Sequence, residues 1–90
     1  MLAILDGNSI KTKDALHDAL SRSLSLPEWY GRNLDALYDC LTDLHENTEI
    51  LLLHAEALEN SLGEYARQFQ CVLNDAAADQ PCVKFTRIAR

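Results

Sequence analysis

Cations are scarce where the rest of the charge is dense. Between Glu28 and Asp79 stand eleven acids, answered by Arg32 and Arg67 alone, a local charge of −9 in a chain whose total is −6. Phosphate backbones are held by clustered lysine and arginine, so this deficit excludes nucleic acid as the direct ligand. It suits a basic partner, or solubility alone. Cysteine is sparse too. Cys40, Cys71 and Cys82 are odd in number and contain no CxxC pair, which excludes both a disulfide framework and zinc-finger spacing. A catalytic thiolate would need a base such as His17, His45 or His54 beside it, and spacing alone places none there. Long apolar runs are missing: ILLL at 50–53 is far too short to cross a bilayer. The start, MLAILDGNS, lacks a basic leader and an extended apolar region, so no signal peptide is expected and the expected compartment is the cytoplasm.

What is present describes a small globule. Ninety residues suffice for one modest core, and 48% apolar with 24% charged residues is a folded rather than a disordered composition. With three glycines and two prolines, the breaks are easily placed. LAILD at 2–6, ending in Asp6-Gly7-Asn8, reads as a buried strand. Thr12 caps a helix with Asp14 in its first turn and a stripe of Leu16, Leu20 and Leu24 beside Ala15 and Ala19. Pro27 ends it by about Leu26. Residues 27–32 form a loop in which Gly31 is free to take a positive φ. Asn33 caps a second helix, about 34–44, with Leu34, Leu37, Leu41 and Leu44 on its apolar face. A second buried strand at 49–55 precedes a short helix, about 55–60. Ser61 with Glu64 is a capping-box pattern for a longer helix at about 62–79, whose stripe is Tyr65, Phe69, Val72, Leu73 and Ala76. Pro81 separates it from a last strand, CVKFTRIA at 82–89. Strands alternating with helices predict a three-stranded parallel sheet packed with about four helices, an α/β fold forming a single domain over 1–90.

The stretch that needs explaining is WYGRNLDALYDCLTD at 29–43. Asp35, Asp39 and Asp43 recur every four residues, on the side of the second helix away from its leucines, with Tyr38 and Thr42 between the two sets. Asp35 is favoured by the helix dipole, whereas Asp39 and Asp43 lie toward the unfavourable end. Each like-charge step costs roughly 0.2–0.5 kcal/mol, small enough for a solvated face to bear. Exposed aromatics change the reading. Trp29 and Tyr30 lie in the loop and Tyr38 on the helix, and such residues beside carboxylates are the material of a protein interface. Carboxylates at i and i+4 can hold a hard cation, but no EF-hand loop or Glu-x-x-His pattern accompanies them. A convex helix face supplies neither the cleft nor the raised pKa that acid–base catalysis requires. No metal, no cofactor and no enzymatic activity are therefore expected, and His17 and His54 read as structural histidines.

WYGRNLDALYDCL at 29–41 resembles the signature of the barstar-type ribonuclease inhibitors, in which aromatics and glycine precede an N-L-D-A-L-[WY]-D-C run. LSLPEWYG at 24–31, His17 and Cys82 agree in place and order, and the likeness covers essentially the whole chain. The resemblance implies a barstar-like fold and a cytoplasmic inhibitor of a cationic ribonuclease such as barnase, or of a related toxin nuclease, bound as a 1:1 heterodimer. It implies that the loop and second helix fill the nuclease active site. Asp35 and Asp39 would be the principal acidic contacts, with Asp39 standing in for an RNA phosphate. Trp29 would stack on the partner, Gly31, Asn33, Leu34, Tyr38 and Thr42 would line the contact with Tyr30 beside them, and Asp75 would be an outlying acid. Three positions depart from the pattern: Arg32 replaces an acid, Leu44 replaces an aromatic, and Asp43 adds an acid. The alternative is an interaction module of the same fold without nuclease inhibition.

Overall fold

The computed structural model describes residues 1–88. The elements run β1 (Leu2–Asp6), α1 (Lys13–Leu24), α2 (Leu34–Thr42), β2 (Thr48–Leu53), α3 (Ala55–Leu62), α4 (Glu64–Asp79) and β3 (Val83–Ile88). The three strands form one parallel sheet in the order β1-β2-β3, with Ala3 opposite Ile50 and Ile50 opposite Phe85. This is the expected α/β architecture of three parallel strands and four helices.

The strands are buried on one side only, which corrects the expectation of buried strands. Ala3, Leu5, Ile50, Leu52 and Val83 face the helices, while the alternate residues Leu2 and Ile4 are 56% and 53% exposed. The cause is topological. Both crossovers move the chain in the same direction across the sheet, and right-handed connections then place every helix on the same face. The core between the two layers is built from Leu16, Leu20 and Leu24 of α1, Leu37 and Leu41 of α2, Leu58 of α3, and Phe69 and Leu73 of α4, all essentially inaccessible.

Several boundaries shift for local reasons. At α1, the Thr12 hydroxyl accepts from the Ala15 N–H at 3.0 Å, and the helix ends when Ser25 turns left-handed at φ 52°. β2 stops at Leu53 because His54 is also left-handed (φ 53°) and opens α3. The capping box does not form. Ser61 lies inside α3, which runs to Leu62, and Gly63 at φ 61° separates the two helices while its N–H closes α3 on the Glu59 carbonyl. A glycine tolerates that conformation, and it outcompetes a serine cap two residues earlier. Along α4, Tyr65 and Val72 are only half-buried, and Ala66 and Gln70 complete the stripe. Gln70 is admitted because it donates to Glu59 at 2.9 Å and accepts from Arg87 at 2.8 Å. β3 begins at Val83, one residue later than expected, and Ala89 lies outside the described residues.

Candidate functional site

The loop between α1 and α2 and the outer face of α2 make an acidic ledge. Asn33 builds its base: its Oδ1 accepts from the Ala36 N–H at 2.7 Å, and its Nδ2 donates to the Gly31 carbonyl at 3.2 Å. One asparagine thus caps the helix and folds the loop against it. Gly31, free to take a positive φ, does not use that freedom; its neighbour Arg32 adopts the left-handed conformation, at φ 55°. A Cβ on Gly31 would lie 3.3 Å from both Ala36 Cβ and Asn33 Nδ2, so the glycine serves close approach to the cap rather than a left-handed turn.

The aromatics divide. Trp29 is 78% exposed, whereas Tyr30 is buried at 6%. Tyr30 therefore lies outside the exposed ledge. Its Oη is 2.7 Å from Nδ1 of His17, whose Nε2 is 2.7 Å from Tyr65 Oη. Burial pushes the Tyr30 phenol far above its ordinary value, while burial together with the Arg32 charge pulls His17 below 6.5 against the opposing pull of Asp14 and Asp18. His17 is structural, as expected.

Along α2, Leu37 and Leu41 are fully buried, Leu34 is half-buried, and Asp35, Asp39 and Asp43 are exposed. Among the described residues, none of these three acids has an ion-pair partner. The helix ends at Thr42 rather than Leu44. Gln80 Nε2 donates to the carbonyls of Thr42 (3.0 Å) and Leu44 (2.9 Å), and Cys82 Sγ approaches the Leu44 carbonyl at 3.2 Å. The chain after α4 thus takes up carbonyls that a continued helix would have used. The half-buried Thr42 donates from Oγ1 back along its own helix to the Tyr38 carbonyl at 2.9 Å.

Packing of α2 on α4 brings Asp75 toward the ledge. The half-buried Tyr38 marks the meeting point: its hydroxyl donates to the Asp79 carboxylate. That hydrogen bond first, then burial and the charges of Asp79, Asp75 and Asp39, raise its pKa. Asp79 was not among the expected site residues. Its signal was the i,i+4 repeat with Asp75 on α4, which mirrors the spacing on α2. Arg32, the single cation of the loop, is turned to α1, 2.9 Å from Asp18 Oδ1. Tyr38, Asp39, Asp75 and Asp79 are therefore grouped, with Asp35 and Asp43 at either end of α2. Such a surface can take up a cationic group.

Other chemistries find no comparable arrangement. Among the described residues no group of three His, Cys, Asp or Glu side chains is disposed to hold a metal ion, and Cys40, Cys71 and Cys82 are free thiols. A depression at the carboxyl ends of the strands, lined by Asn8, His54, Glu56, Asn60 and Arg87, shares no residue with the ledge. No helix among the described residues is long and apolar enough to cross a membrane.

Comparison with known proteins agrees with the motif. Residues 1–87 match the family described as Barstar (barnase inhibitor). A protein of Bacillus subtilis (strain 168) named "Putative ribonuclease inhibitor YrdF" is 40% identical over 74 residues, spanning 81% of this chain and 81% of its own length.

Proposed function

The chain belongs to the barstar family, and from that membership we propose that it inhibits a cationic ribonuclease by covering the active site with the acidic ledge of α2 and the Trp29 loop. The observation that carries this reading is the set of solvent-facing carboxylates on α2, Asp35, Asp39 and Asp43, without ion-pair partners among the described residues. A ribonuclease active site collects lysine and arginine to hold phosphates, and the ledge offers those cations carboxylates instead. Asp39 occupies the phosphate position, flanked by Asp35, Tyr38 and Asp75. Trp29 stacks on the partner, while Gly31, Asn33, Leu34 and Thr42 line the contact, with Tyr30 supporting the loop from beneath. Complementary charge speeds encounter at low salt. The complex is a 1:1 heterodimer formed in the cytoplasm, where the inhibitor protects the cell from its own nuclease or toxin; it needs no cofactor, and the protein is not an enzyme.

Inhibition of RNA cleavage tests the proposal. Purified chain should abolish cleavage by barnase, or by a cationic nuclease encoded beside it, at stoichiometric amounts, with an association rate that falls as salt rises. No inhibition across such a panel at micromolar inhibitor and low salt would sink the reading.

A further inference from the structure

The contact loop is tied to α1 at alternate residues. Tyr30 reaches His17 in the interior. Arg32 reaches the surface of the same helix: its Nη2 donates to the Asp14 carbonyl at 3.0 Å, lies 2.9 Å from Asp18 Oδ1, and is 3.8 Å from the Asp14 carboxylate. Positions 14, 17 and 18 fall on one face of α1, so both ties pull the loop in the same direction. Arg32 also holds the strained conformation of the loop, φ 55°. A residue with a side chain keeps that conformation only when its surroundings hold it there. Gly31, one position earlier, could have adopted it without steric cost and does not. The strained residue is thus itself one of the two whose side chains tie the loop to α1.

We propose that Arg32 is a positioning residue of the inhibitory surface. It fixes Trp29–Asn33 against α1 and cancels its own charge on Asp14 and Asp18, so that a cationic partner meets an ordered loop without a free cation. The inference rests on the ribonuclease-inhibitor reading for its purpose, while the tie itself is a property of the free chain. The contacts with the Asp14 carbonyl and the Asp18 carboxylate both fall on Nη2, whose N–H bonds have fixed directions in the guanidinium plane; a lysine ammonium keeps the charge but loses that fixed direction.

Two measurements decide it. In the free protein, Trp29 is the only tryptophan, so its time-resolved anisotropy, with backbone 15N order parameters over 29–33, reports loop order. Arg32→Lys, Arg32→Gln and Asp18→Asn should each loosen the loop and leave α1 and α2 unchanged. With barnase as the probe, all three should raise koff, by about two- to fivefold, the range of an exposed ion pair. Their kon values should diverge. Arg32→Gln removes a repelling cation and raises kon, Asp18→Asn uncovers that cation and lowers it, and Arg32→Lys leaves it unchanged. Loop order unaltered in all three variants, or koff unaltered while kon shifts, would overturn the tie. If the wild-type chain does not bind barnase, the functional reading fails for that target, and the free-chain loop order still decides the inference.

Discussion

Tyr30 Oη lies 2.7 Å from Nδ1 of His17, joining a loop to a helix inside the protein. Because Tyr65 takes the other ring nitrogen at the same distance, the imidazole has no unused polar atom. The bond anchors the loop between α1 and α2 to the core. Tyr30→Phe removes a hydroxyl and leaves Nδ1 buried without a partner. The expected loss is about 1–3 kcal/mol, the cost of an unsatisfied buried polar group. Urea denaturation should show it as a lower midpoint at unchanged m-value.

The same histidine sets a pH dependence. Its folded-state pKa lies below 6.5, mainly through burial and then through the Arg32 charge. Above that ordinary value, folded and unfolded chains are both neutral at this site and the full stability is present. As pH falls through it, the unfolded chain takes up a proton that the folded chain resists, so stability drops until the folded value is passed. Glu59, held below its ordinary value by its hydrogen bond to Gln70 and then by Arg87, adds a second loss at more acidic pH. Urea midpoints measured from neutral to acidic pH should fall in both windows, and His17→Gln should abolish the first while retaining the second.

Asp39 and Asp43 are both exposed, yet they should differ in binding. Asp39 lies beside Tyr38, near Asp75 and Asp79, whereas Asp43 caps the far end of α2. Asp39→Ala should weaken nuclease binding by about 2–5 kcal/mol, chiefly through faster dissociation, because it strips a desolvated charge pair. Asp43→Ala should cost no more than about 1 kcal/mol and act mainly on association. Stopped-flow association and dissociation rates separate the two effects. Equal losses would place the centre of the contact elsewhere on the helix.

Gln80 holds the end of α2 from across the molecule. Gln80→Ala takes this donor from the Thr42 carbonyl and leaves the Leu44 carbonyl to Cys82 Sγ alone, and should cost about 1–2 kcal/mol. Hydrogen exchange should quicken in the last turn of α2 ahead of its first turn. A uniform change along the helix would contradict the latch.

Gly7 tolerates no side chain. A Cβ there would stand 2.1 Å from the backbone oxygen of His54. Gly7→Ala must push β1 and β2 apart at their carboxyl ends, where the Gly7 N–H donates to the Leu53 carbonyl. Overpacking of this kind costs about 1–3 kcal/mol, more where backbone must move. A thermal melt would reveal it.

The sequence made the layered fold and the acidic helix legible because each was written in a short period: leucines and aspartates at helical spacing, apolar runs between breaks. It did not reveal which aromatic turns inward, since Trp29 and Tyr30 are adjacent, both are large, and only the tertiary position of His17 selects Tyr30. The Ser61–Glu64 pattern misled because Gly63 competes with it two residues later. That Arg32, which replaces an acid of the family pattern, pairs with Asp18 depends on how the loop crosses α1, which no local period encodes. Asp79 joins the group only through Tyr38, 41 positions away in the chain, a proximity no local pattern encodes.

The bare side of the sheet has its own consequence. Leu2 and Ile4 continue through the half-buried Leu51, Leu53 and Ile88 into an aliphatic surface, and β3 leaves one edge of the sheet open beside it. Such an edge invites strand addition from another chain unless charge discourages it. Lys84 sits on the open strand beside Glu49 on that face, and Arg87, bound to Glu59, sits on the same strand on the helix-facing side. The two basic residues of β3 thus place charge along the edge at which a second copy would have to pair.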